Sequence, residues 1–179
     1  MDRAAEVPSE YQDGELFPIA AVSVEHSIIS LSVGSMLRER LAKTPCRAMP
    51  SPLRVRVSPT KFLIPDLMVV CGKPVLTDEH RDTVTNPKVI VEVLSPSTAD
   101  YDYGEKFILY RKLESFEEYL LVSQDQARVE VARKAADKRW VISTYEGIDV
   151  VVNVESLGVS LPMAEIYNGV ELSPDIEAN

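Results

Sequence analysis

Residues 88–94, Lys-Val-Ile-Val-Glu-Val-Leu, give the strongest indication of the fold. Apart from its first position and Glu92, its side chains are apolar and mostly β-branched, which is the pattern of a strand buried on both faces of a sheet. A carboxylate in such a strand is costly unless it is paired, hydrogen-bonded or bound to a metal ion. Glu92 is therefore a candidate functional residue. Two structural alternatives stay open: an outward position at a sheet edge, and a salt bridge to an arginine.

The same anomaly recurs at Asp66, inside the apolar run 62–70. A Pro-Asp pair is also common at turns, so Asp66 has a structural alternative as well. Asp66 and Glu92 are far enough apart in the chain to lie on two neighbouring strands joined by a loop. Both carboxylates would then reach one point, and Mg²⁺ binds through one or two carboxylates while it keeps several waters. Such an ion generates a hydroxide-like water and neutralises charge on a phosphoryl oxygen.

Lys106 is the third candidate, on a helix predicted over 101–113. Leu109, Tyr110 and Leu113 share its helical face, so the lysine lies among apolar neighbours. It either extends its ammonium group into water at the edge of that face or points at the sheet. A lysine pointing at two carboxylates would stay charged, and it could orient an attacking water or stabilise a developing oxyanion. Tyr110 could hydrogen-bond into the same site or simply pack in the core.

Helices and further strands are predicted around residues 88–94. The first helix is predicted over 25–43, where Thr44-Pro45 ends it. The remaining strands are predicted over 15–21, 53–57, 62–70, 119–123, 128–133, 140–145 and 150–154, the last four as two hairpins, with a loop over 72–87. This order predicts an α/β fold in which helices flank a central mixed sheet. We expect one domain over 15–179 after a loose segment at 1–14.

The composition indicates a globular protein and limits its partners. The chain has 179 residues, 45% of them hydrophobic, which suits one folded domain. No apolar run reaches the length of a membrane span and no signal peptide is evident, so we expect a soluble, cytoplasmic protein without membrane contact. The net charge of −9 argues against broad attraction to nucleic acid, although the acids concentrate in 1–25 and 146–179. Cys46 and Cys71 are predicted to be reduced, buried thiols.

The candidate residues also carry a resemblance to a known family. Its motifs are Pro65-Asp66, then Val91-Glu92-Val93-Leu94-Ser95-Pro96-Ser97-Thr98, then Asp102, Lys106 and Tyr110. Together they resemble the Uma-type family of putative restriction endonucleases, which belongs to the PD-(D/E)XK nuclease superfamily. The similarity extends from about residue 14 to residue 167, and the run that follows Val91 is its specific part. The resemblance implies a restriction endonuclease-like fold.

The resemblance also implies a set of site residues. Asp66, Glu92 and the backbone carbonyl of Val93 would hold a Mg²⁺ or Mn²⁺ ion. The superfamily pattern expects a lysine two residues after the glutamate, where this chain has Leu94; the resembling family places that lysine on the next helix, at Lys106. His26 matches a recurrent histidine, and the neighbouring Glu25 could supply a further acid. His26 and Glu25 suit a helix cap or a surface position equally well.

These observations favour a metal-dependent endonuclease that hydrolyses DNA with a metal-activated water and without a covalent intermediate. A different class stays open, because the acidic composition and the lack of a DNA-reading motif also suit a catalytically silent binding or assembly module. A third interpretation, a glycosidase with two carboxylates, has no sugar-stacking signal to support it. We also expect a homodimer, because cleavage of both strands of a duplex needs two active sites or two visits.

Overall fold

The computed structural model describes residues 7–173, and the strand at residues 88–94 lies in the middle of its largest sheet. The strands are β1 (Ser9–Gln12), β2 (Glu15–Pro18), β3 (Cys46–Pro50), β4 (Arg54–Ser58), β5 (Lys61–Leu63), β6 (Leu67–Cys71), β7 (Thr83–Val84), β8 (Val89–Leu94), β9 (Glu118–Ser123), β10 (Arg128–Lys134), β11 (Trp140–Glu146), β12 (Val151–Val154) and β13 (Val159–Pro162). The helices are α1 (Val24–Arg40), α2 (Ala99–Tyr101), a π-helical turn (Asp102–Lys106), α3 (Phe107–Tyr110) and α4 (Met163–Ile166). The predicted class, a mixed sheet flanked by helices, is confirmed.

The main sheet has the strand order β11-β10-β9-β8-β6-β3. Strand β8 pairs in parallel with β9 and antiparallel with β6, and every one of its residues is buried. The prediction of a central, doubly buried strand is therefore confirmed. Because β6 is the direct neighbour of β8, the residues that begin β6 lie beside the end of β8.

The two faces of the main sheet pack against different layers. Val89, Val91 and Val93 lie in a core cluster with α1, whereas Ile90 and Leu94 lie in a second cluster with Tyr110 of α3. Since strand side chains alternate between faces, Glu92 shares the face of Ile90 and Leu94. That face is covered by the helical segment 99–110, which carries Lys106.

Helix α1 begins at a well-formed cap. The side chain of Ser23 accepts a hydrogen bond from the backbone N–H of His26 at 3.0 Å, which satisfies one of the unpaired amides of the first turn. Arg38 and Arg40 occupy the last turn, where positive charge complements the helix dipole. The helix ends at residue 40, slightly before the predicted end at 43. The cap places His26 at the edge of the sheet.

The predicted run 62–70 is split between two sheets. Strand β5 belongs to a smaller sheet of order β2-β1-β5-β4-β7, and β6 belongs to the main sheet. Pro65 lies in the break, where its missing N–H cannot continue a ladder. Asp66 therefore lies where the two sheets diverge. The small sheet also includes β7, within the predicted loop 72–87.

The predicted hairpins have different outcomes. β9 and β10 pair as expected, but the predicted pairing of 140–145 with 150–154 is wrong. β11 instead extends the main sheet beside β10, and β12 pairs with β13. The reason is burial: Val152, Val154 and Leu161 pack in the cluster under α1, away from the exposed strand β11.

Two further predictions need correction. Within the expected loose segment 1–14, residues 9–12 form β1, whose Ser9 and Glu10 are buried, while residues 1–6 lie outside the described part. Cys46 and Cys71 form a disulfide and are not free thiols, because they are directly opposite each other on β3 and β6. No helix within residues 7–173 is long and apolar enough to cross a membrane.

Candidate active site

A cleft of about 970 Å³ opens where the two sheets diverge, beside the end of β8 and the start of the helical segment 99–110. Asp66, Glu92, Val93, Lys106 and His26 line it. Sequence reasoning selected all five. Their convergence comes from β6 and β8 being neighbours, with the helical segment folded back over both.

Glu92 is the most enclosed carboxylate of the cleft, at 2% exposure. Its Oε1 lies 2.9 Å from Nζ of Lys106 and accepts a hydrogen bond from the Tyr110 hydroxyl at 3.1 Å. Burial raises the pKa of Glu92 well above its usual value; the positive charge of Lys106 opposes this, and the nearby charges of Asp102 and Asp66 add to it. Glu92 lies on a central strand and not at a sheet edge, and the cation that it pairs with is Lys106 instead of an arginine.

Asp66 is tied to β8 through the backbone. Its amide N–H donates to Oε2 of Glu92 at 3.2 Å, and its own Oδ2 accepts from the Val93 N–H at 2.7 Å. The Asp66 carboxylate thus extends the hydrogen bonding between β6 and β8 next to Pro65, which has no N–H to donate. Because the N–H and C=O of a strand residue point to the same side, the Val93 carbonyl also lies on the Asp66 side. The side chain of Asp66 is 22% exposed, so it borders the open part of the cleft.

Lys106 is buried and surrounded by carboxylates. Its Nζ lies 2.9 Å from Glu92, 3.3 Å from Asp102 and 3.6 Å from Glu10. Burial alone would lower the pKa of Lys106, but Glu92, Glu10 and Asp102 raise it overall, so the lysine stays charged. The alternative of a lysine extending into water is wrong, because the side chain is only 8% exposed.

Glu10 is the functional candidate that sequence reasoning missed. It is 4% exposed on β1, its Oε1 accepts from the Ile64 N–H at 2.9 Å, and its Oε2 accepts from the Tyr101 hydroxyl at 2.8 Å. Nothing around Ser9-Glu10-Tyr11 suggests burial. Asp102 belongs to the motif that carries the family resemblance and lies four residues before Lys106, but it was not selected as a site residue. Burial raises the pKa of Asp102, while Lys106 opposes the shift.

The three accessory candidates differ in position. Nε2 of His26 lies 3.1 Å from Oδ2 of Asp66, so this histidine contacts the site. Tyr110 is fully buried behind Glu92 and reaches it through the hydroxyl. Glu25 is not among the residues that line the cleft, so the structure does not bring it to the other candidates.

The residues of the cleft offer few ligands for a metal ion. Within residues 7–173, no group of three or more His, Cys, Asp or Glu side chains is arranged so that it could hold a metal ion, as a structural zinc site would require. Mg²⁺ needs fewer protein ligands, since one or two carboxylates and several waters suffice. Glu10, Asp66, Glu92 and Asp102 line the cleft together with Lys61 and Lys106, so carboxylates outnumber the lysines, which suits a cation.

Comparisons with known proteins show the family of the chain. The family model Uma2, described as "Putative restriction endonuclease", matches residues 1–164. Two relatives come from Synechocystis sp.: the uncharacterized protein sll1609 is 34% identical over 78% of this chain and 79% of its own length. The uncharacterized protein slr1290 is 32% identical over 89% of this chain and 83% of its own length.

A solved structure extends the comparison to the fold. The crystal structure of a putative nuclease belonging to DUF820 from Anabaena variabilis superposes with a TM-score of 0.73. The match covers 89% of both chains at 19% sequence identity. The chain therefore has the restriction endonuclease-like fold that was expected from the sequence.

Proposed function

Because the chain belongs to the Uma2 family of putative restriction endonucleases, we propose that it is a metal-dependent endonuclease that hydrolyses phosphodiester bonds of DNA. The observation that carries the proposal is the pair of carboxylates, Asp66 and Glu92, joined through the backbone of neighbouring strands beside a buried lysine. Two carboxylates suit a metal ion that activates a water for hydrolysis. An adjacent lysine suits the stabilisation of negative charge that develops in the reaction.

Asp66, Glu92 and the Val93 carbonyl would hold Mg²⁺ or Mn²⁺. When bound, such an ion lowers the pKa of a water and offsets negative charge on the phosphoryl group. Lys106 remains charged at neutral pH and would hold the attacking water or stabilise the charge that develops on the phosphate. No side chain needs to form a covalent bond with the substrate.

The residues around these groups position them. His26 contacts the Oδ2 atom of Asp66, and Tyr110 donates to Oε1 of Glu92, so each restricts the rotation of one carboxylate. Glu10 and Asp102 flank Lys106 and fix its ammonium group. Outer residues of this kind commonly change metal affinity or activity by about 10–100-fold when replaced.

The proposal is tested by calorimetric titration of Mn²⁺ and Mg²⁺ into the wild type, Asp66→Ala and Glu92→Ala, with the same proteins incubated with plasmid DNA. Glu25→Ala is the matched control, because it removes an acid near His26 that does not line the cleft. We expect metal binding and metal-dependent nicking in the wild type and control only. Unchanged metal binding in folded Asp66→Ala and Glu92→Ala would overturn the site.

A catalytically silent binding module is the second candidate. It is favoured by the charge of the cleft, which Asp13, Glu15 and Glu105 line in addition to the four inner carboxylates. Such a surface attracts the phosphate backbone poorly unless cations intervene. Metal binding without cleavage of any DNA would favour this second function over the first.

A further inference from the structure

The edge of the main sheet at β11 is unusually exposed. β11 is the terminal strand of the sheet, and β10 is its only partner strand among residues 7–173. Val141 is 47% and Ile142 is 60% exposed, and they point to opposite faces of the sheet. The backbone edge of β11 and two of its apolar side chains are therefore exposed to solvent.

The sequence of β11 lacks the usual protection of an edge. Native edge strands are kept apart by charged residues, prolines, bulges or short length. Only the last residue of β11, Glu146, is charged; residues 140–145, Trp-Val-Ile-Ser-Thr-Tyr, contain no charge and no proline. The pairing of β11 with β10 is regular over all seven positions. Such an edge is a template for pairing with another strand.

The hydrogen bonds that flank β11 show which of its backbone groups face β10 and which face away from it. Ala135 donates its N–H to the Arg139 carbonyl at one end of β11, and Gly147 donates to the Ala127 carbonyl at the other. Because hydrogen-bonding direction alternates along a strand, odd-numbered residues of β11 bond to β10. The N–H and C=O groups of Ile142 and Thr144 therefore point away from the sheet.

We propose that β11 pairs antiparallel with β11 of a second copy of this chain, about a twofold axis through Ser143. In this register Ile142 lies opposite Thr144 of the second copy, so their outward N–H and C=O groups bond to each other. Arg139, an exposed cation that pairs with Asp137, lies opposite Gly147 and next to Glu146 of the second copy, which contacts Arg128 of its own chain. Unlike charges therefore lie close together at both ends of the paired strands. The interface is isologous, as in most symmetric dimers.

The register also relates the two clefts. Glu92 is aligned with Leu121, which is aligned with Glu130, which is aligned with Thr144. The two copies of Glu92 would therefore lie on the same face of one continuous sheet, separated by seven strand spacings, or roughly 34 Å. This distance is close to one turn of duplex DNA, at about 34–36 Å. Only this last consequence rests on the proposed function.

The test combines solution mass with a register-specific cross-link. Light scattering of the wild type at several concentrations should give twice the 19.9 kDa of the chain. Ile142→Lys should shift it to the monomer, whereas Val151→Lys, at a similarly exposed apolar position on β12, should not. Ser143→Cys should form a covalent dimer on mild oxidation, because opposed non-bonded pairs have Cα atoms about 4.5 Å apart. Ile142→Cys, which is not opposite itself, should cross-link far more slowly.

Each outcome decides the proposal. A dimer that Ile142→Lys disrupts, together with preferential cross-linking at position 143, supports it. A monomeric wild type at all concentrations, a dimer that survives Ile142→Lys, or equal cross-linking at positions 142 and 143 overturns it. The cross-link decides the question even when Ile142→Lys does not fold. These readouts need no substrate, so they are independent of whether the chain cleaves DNA.

Discussion

Glu92 and Glu118 lie on adjacent parallel strands, and both are buried, at 2% and 0% exposure. Glu118 accepts hydrogen bonds from the backbone N–H groups of Glu155 and Ser156, at 3.1 and 2.9 Å. Glu92 contacts Lys106, Tyr110 and the Asp66 amide instead. Two glutamates of equal burial thus have different environments on opposite faces of one sheet.

The difference shows that burial alone does not define the environment of a carboxylate. Glu118 holds the turn between β12 and β13, and backbone amides satisfy both of its oxygens. Glu92 lines a cleft, and besides the Asp66 amide it contacts two polar side chains, those of Lys106 and Tyr110. The partners of a buried acid, more than its burial, separate a structural role from a chemical one.

Removal of Lys106 should have the largest effect, because it leaves Glu92, Glu10 and Asp102 without their shared cation. Lys106→Met should lower the free energy of unfolding by about 3–5 kcal/mol, as for other broken buried ion pairs. Lys88→Met is the matched control near Glu118: Lys88 pairs with Glu117 at the surface, so its loss should cost at most about 1 kcal/mol. Urea unfolding measures the free energy of unfolding of both variants. An equal loss in Lys106→Met and Lys88→Met would contradict the prediction.

Exchanging the two glutamates for glutamine tests the comparison directly. Under the proposed function Glu92 holds the metal ion, and a ligand should matter no less than the residues around it, so Glu92→Gln should lower nicking activity by at least about 100-fold. Glu118→Gln should retain activity but lose about 1.5–3 kcal/mol of stability, the usual value of a hydrogen bond to a charged group. Parallel assays of plasmid nicking and urea unfolding are required. Comparable activity in both variants would place Glu92 with Glu118 as a structural residue.

Glu10 has an intermediate environment and sharpens the comparison. Like Glu118 it accepts a backbone N–H, and like Glu92 it lies near Lys106. Glu10→Gln keeps an oxygen for Ile64 but removes the charge, so kcat should fall about tenfold at unchanged KM. Stability should fall by less than the roughly 3–5 kcal/mol expected for Lys106→Met, because Lys106 keeps Glu92 and Asp102 as partners. Steady-state cleavage of an oligonucleotide measures both constants. A loss of stability without a change in kcat would make Glu10 purely structural.

The parts of this site that the sequence predicts are those with a local signal. Glu92 and Asp66 interrupt apolar strands, and Lys106 interrupts an apolar helical face, so each is anomalous within a few residues. Glu10 has no such signal, because its burial depends on the pairing of β1 with β5, about fifty residues later. Glu118 follows another glutamate at a strand start, where polar residues are common.

The wrong predictions of the fold also concern contacts between residues that are distant in sequence. The helix at 24–40 and the strand at 89–94 follow from periodicity, which residues close in sequence determine. The pairing of β12 with β13, and the disulfide between β3 and β6, depend on which strands meet in space. The propensities of 140–145 and 150–154 are correct for strands, and only their partners differ from the prediction.

The smallest expected effect distinguishes two tyrosine hydroxyls. Tyr110 donates to Glu92, whereas Tyr119 donates to the backbone carbonyl of Asp102, both at 3.1 Å. Tyr110→Phe and Tyr119→Phe should each cost about 1 kcal/mol of stability, because each loses one buried hydrogen bond. Only Tyr110→Phe should also slow nicking, by less than about tenfold, since 1.4 kcal/mol corresponds to a factor of ten. Equal nicking rates in the two variants would mean that the hydroxyl of Tyr110 does not position Glu92, and that Lys106 and the Asp66 amide suffice to hold it.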